Sequence, residues 1–172
     1  PQLYYDKVRA SRIEEDVSAS VLLAAIRQTG EELTLAEVME REEQRREKTL
    51  ALNKQRERYV SRLFTSLWVS GNWTEEDLVT YKALFSDLAL YDHEKATLVS
   101  ALLLALMHWF DEEKILLLLD LCRHSEPEVS QRALVATTLV LYLYDERLDV
   151  YPTIGLKWEA LMEDDKQRLA LE

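Results

Sequence analysis

The stretch SALLLALMHWFDE at residues 100–112 returns, offset by 34 residues, as LVATTLVLYLYDE at residues 134–146. Both stretches are apolar around most of a helical circumference, and both close on aromatic residues followed by Asp-Glu. A helix covered on one side alternates apolar and polar faces, whereas one covered on both sides is apolar nearly all round. Recurrence at a fixed spacing of about 20–50 residues is the pattern of a helical solenoid, in which a helix pair cannot bury its apolar face alone and neighbours stack. Two buried helices of similar composition also align by chance, so the repeat is an expectation.

Working outward, the punctuation is sparse. With 3 Gly and 3 Pro in 172 residues, the chain lacks the turn chemistry that sandwiches and barrels draw on. The spacing predicts a helix from Lys7 to Thr29, with Val8, Ile13, Val17, Val21, Leu22 and Ile26 on one face and Gly30 as its stop. Thr34 and Glu37 form a capping-box pattern that opens a long charged helix reaching Val69, about 50 Å if unbroken, with Asn53 as a candidate break. Ser70-Gly71-Asn72 ends it. Thr74 with Asp77, Asp92, Asp111, and Ser125 with Glu128 then read as successive helix starts, Pro127 sitting in a first turn where its missing N–H costs nothing. A last amphipathic segment follows Pro152 and holds Ile154, Leu156, Trp158, Leu161, Met162 and Leu169.

SEPEVSQRALV at residues 125–135 resembles the opening of a second helix in HEAT-like repeats: an acidic-Pro turn, a Val, a basic residue, then small and aliphatic residues. The copy at Asp92 to Ala96 is weaker and lacks the Pro. The resemblance covers about Trp73 to Pro152, and the region is similar to uncharacterised helical-repeat regions of large bacterial proteins. It implies antiparallel helix pairs stacked as a short solenoid, serving as a scaffold for macromolecular partners. The expected organisation is residues 1–72 as N-terminal helices, including the long charged one, and 73–172 as the repeat region, in one continuous unit. Apolar positions persisting to Leu171 predict a stack that continues in a longer parent chain.

Charge narrows the partners. Acids outnumber bases 32 to 21, for a net charge of −11, which disfavours non-specific binding to nucleic acid or anionic membrane. Residues 41–62 run the other way, with eight bases against four acids. Arg45, Arg46, Arg56 and Arg58 are the candidate anion contacts there, although Glu37–Arg41 and Glu42–Arg46 lie at the spacing of self-pairing on an exposed helix. One cysteine, Cys122, excludes an internal disulfide and suits a reducing, cytoplasmic setting. No signal peptide is evident, and the apolar run from Leu98 to Phe110 is too short to span a bilayer.

Catalytic patterns are missing: no H-E-x-x-H, C-x-x-C, G-x-S-x-G or phosphate loop occurs. His124, two residues from Cys122, reads as a helix-end residue rather than half of a metal pair; His93 reads as solvated and His108 as packed. No catalytic residue, metal ligand or cofactor is assigned. The aromatics Trp109, Phe110, Tyr142 and Tyr144 either pack in the core, the stronger reading, or line a groove that anchors a protein. The acids Asp111, Glu112, Asp145 and Glu146 either cap helices, again the stronger reading, or recur as an acidic ridge for a basic partner. The leading expectation is a non-enzymatic scaffold that binds a protein partner or neighbouring domains of its parent chain, with homo-oligomerisation open. A nucleic-acid-binding module acting through Arg41–Arg62 is the alternative, since a family of alkylation-repair DNA glycosylases is built from HEAT-like repeats. An enzyme of unrecognised type comes third.

Overall fold

The computed structural model describes residues 18–38 and 41–163, and every regular element among them is an α-helix. In chain order these are α1 (Ala19–Glu37), α2 (Glu42–Val69), α3 (Glu75–Phe85), α4 (Asp92–Leu106), α5 (Glu112–Leu121), α6 (Pro127–Leu143), α7 (Asp145–Leu148) and α8 (Pro152–Met162). The expected start at Lys7 and the apolar positions Leu169 and Leu171 lie outside the described residues.

Several starts follow the expected chemistry. Thr74 and Asp77 cap α3 reciprocally, the Asp111 carboxylate accepts from the Lys114 N–H at the head of α5, and Pro127 is the first residue of α6. At α6 the residue before the helix is Glu126 with no side-chain cap, so Ser125 does not play the part expected of it. At α4 the cap is supplied from inside: the Tyr91 N–H donates to Glu94 at 2.8 Å, and Asp92 is the first helical residue.

The largest departure is at Gly30. It does not stop a helix but sits inside α1 with an ordinary negative φ. Thr34 opens nothing either, because its hydroxyl bonds back to the Gly30 carbonyl at 3.2 Å within the same helix. A β-carbon at Gly30 would lie 3.6 Å from a guanidinium nitrogen of Arg56, so the small residue marks where α2 crosses α1. The charged helix is therefore 28 residues long, begins at Glu42 and runs through Asn53 without a break. Its polar first turns are solvated, as their composition requires.

One apolar cluster runs through all the longer helices. Leu22 and Ile26 of α1, Leu63 and Leu67 of α2, Leu98 and Leu102 of α4, Leu118 of α5, Val140 of α6 and Leu161 of α8 all belong to it. It crosses residue 72 without interruption, since Trp73 stacks flat on Tyr81 at 4.2 Å while packing against the cluster. Along the molecule, α2 touches α1 and α4, and α4 touches α5 and α6 as well. On the other side, α3 touches α1 and α5, while α5 also touches α6 and α8.

Candidate interaction surface

Three groups of buried or half-buried charges hold these helices in place. Arg56 is 4% exposed and donates through Nε and Nη2 to both carboxylate oxygens of Glu94, at 2.7 and 2.6 Å. It also donates to the carbonyls of Ile26 and Ala89, and its guanidinium lies 3.8 Å from the Tyr91 ring centre. One side chain of α2 thereby ties α1 to the start of α4. The planar fork of Arg suits this work, and a pair so removed from water needs every donor filled. Arg56 is thus withdrawn from the set of expected anion contacts.

Asp111 and Lys114 form the second group. Asp111 accepts from the backbone N–H of Trp73 at 2.8 Å, while Lys114 Nζ reaches the carbonyls of Gly71 and Ser70 at 2.7 and 3.3 Å and Asp111 itself at 3.2 Å. The Ser70-Gly71-Asn72 turn is fastened to the head of α5 by these bonds. Asp111 is buried, so it cannot form a solvent-facing ridge with the exposed Asp145 and Glu146. Glu112 and Glu113 stay half-buried beside it; burial, and then the neighbouring Glu112, Glu75 and Asp111, raise the Glu113 carboxyl above its ordinary value.

In the third group, Asp120 of α5 receives Lys157 of α8 at 2.7 Å and Lys82 of α3 at 2.6 Å. Burial pushes this carboxyl up, but the two lysines pull it down by more, and it lies below its ordinary value.

The remaining candidates separate cleanly. Cys122 is buried against Leu118 and Thr137, and burial raises its thiol, which leaves it protonated at neutral pH. His124 Nδ1 accepts from the Glu126 N–H at 3.1 Å and so serves the turn into α6. His93 is solvent-exposed and tilts against Tyr91, and His108, expected to be packed, is exposed as well. Among the described residues, no group of three or more His, Cys, Asp or Glu is arranged to hold a metal ion. No helix among them is long and apolar enough to cross a membrane.

The four aromatics divide two and two. Phe110 and Tyr144, which occupy equivalent places in the two repeat-like stretches, meet edge to face at 5.2 Å; Phe110 also packs on Tyr151, and the Tyr144 hydroxyl donates to the Leu106 carbonyl. Trp109 and Tyr142 instead face solvent, at 51% and 85% exposure. On α2, Arg46 pairs with Glu42, Arg45 is half-exposed and Arg58 is exposed beside an open depression that Lys54 and Tyr59 also line.

Around Tyr142 lies a surface that composition could not pick out. On α6, Val135, Leu139, Tyr142 and Leu143 are exposed, opposite the buried Ala133, Thr137 and Val140. On α4, Leu104 and, just past the helix end, Met107 are exposed on one stripe with Thr97 and the half-buried Ser100. Arg132 of α6 donates to the Ser100 hydroxyl at 3.4 Å, which sets the two stripes side by side. Exposed apolar side chains gathered on one face are the kind of surface that a partner covers.

No protein-family model, curated protein or solved structure matches this chain.

Proposed function

We propose that this chain is a non-enzymatic helical scaffold, a short HEAT-like solenoid that receives another protein on the joined outer faces of α4 and α6. The exposed apolar strip Leu104, Met107, Val135, Leu139, Tyr142 and Leu143 carries this reading. Support for the stacked-pair architecture comes from the order of neighbours: α1, α3, α5 and α8 touch in succession on one side, and α2, α4 and α6 on the other. Such alternation is what a repeated helix pair produces. The contacts of Ser100 with Arg132 and of Leu106 with Tyr144 rise together in sequence, as they do between helices running the same way in consecutive pairs. The buried, protonated thiol suits a reducing, cytoplasmic setting.

A strip flanked by polar residues holds a partner through aromatic and aliphatic anchors rather than through charge. Affinity capture from native, nuclease-treated lysate with the wild-type chain and with Leu139→Asp as baits tests this. A partner retained by the first and lost by the second is expected. Equal retention by both baits would move the binding surface elsewhere. For the nucleic-acid alternative through Arg41–Arg62, we expect no retention on DNA or RNA at physiological salt, because the net charge of −11 opposes it, Arg46 pairs with Glu42 and Arg56 is spent internally.

A further inference from the structure

We draw no further inference here: the strongest candidate, the exposed apolar strip along the outer faces of α4 and α6, belongs to the surface already described, and nothing in the structure shows what covers it.

Discussion

At the scale of single residues, Arg56 and Gly30 are two sides of one contact. Arg56 donates to acceptors on α1, α4 and the loop between α3 and α4, so its loss leaves Glu94 buried without its partner. Arg56→Met alone is expected to cost about 3–5 kcal/mol in urea unfolding, and Arg56→Met with Glu94→Leu to recover most of that, because a buried pair replaced by matched apolar volume is close to neutral. A double variant no better than the single one would show that the Glu94 cap on Tyr91 matters more than the ion pair. Gly30 carries the opposite expectation. Its backbone is helical, and the added methyl meets Arg56 only at ordinary contact distance, so Gly30→Ala should stabilise by about 0.5–1 kcal/mol.

At the scale of elements, Asp120 joins three helices, and its response to pH can be measured. The folded protein keeps this carboxyl ionised at lower pH than the unfolded chain does, with an ordinary value of 3.8. Asp87 behaves likewise, held down first by the Ala89 backbone N–H and, against its burial, by Arg27. The unfolded state therefore takes up more protons in acid. The stability these groups supply is complete above the ordinary carboxylate range and is lost as pH falls through their folded values. Thermal unfolding followed from pH 7 to pH 2.5 should fall steeply at the acid end, and Asp120→Asn should flatten that fall while lowering the midpoint at neutral pH. An unchanged acid limb in the variant would mean that Lys82 and Lys157 contribute nothing through it. Glu113 has the reverse sign: its carboxyl is raised, so it weakens the fold when ionised, and Glu113→Gln should be neutral or stabilising at pH 7.

At the scale of the whole molecule, a proposed stack in which each helix leans on its neighbours is most stable in the middle, where both sides are covered. Nine residues of the 15-residue α4 are buried, whereas α8, of 11 residues, buries only Ile154 and Leu161. Hydrogen exchange is expected to be slowest in α4 and α5 and to quicken toward the first turns of α2 and toward α8. Uniform protection across all helices would instead indicate a single cooperative block.

Scarce glycine, long apolar periods, the caps at Thr74 and Asp111 and the first-turn Pro127 made the all-helical class and the starts of α3, α5 and α6 legible in the sequence, because these are local effects acting within one or two turns. Gly30, Arg56 and the strip on α4 and α6 were not legible. A glycine ends a helix or sits under a crossing helix, and an arginine faces solvent or fills a core site, according to what packs against it. Leu139 and Val140 are neighbours of the same chemistry, yet one is half-exposed and the other fully buried. On a helix apolar around most of its circumference, periodicity cannot say which face stays open; only the placement of α4 and α5 against α6 decides that.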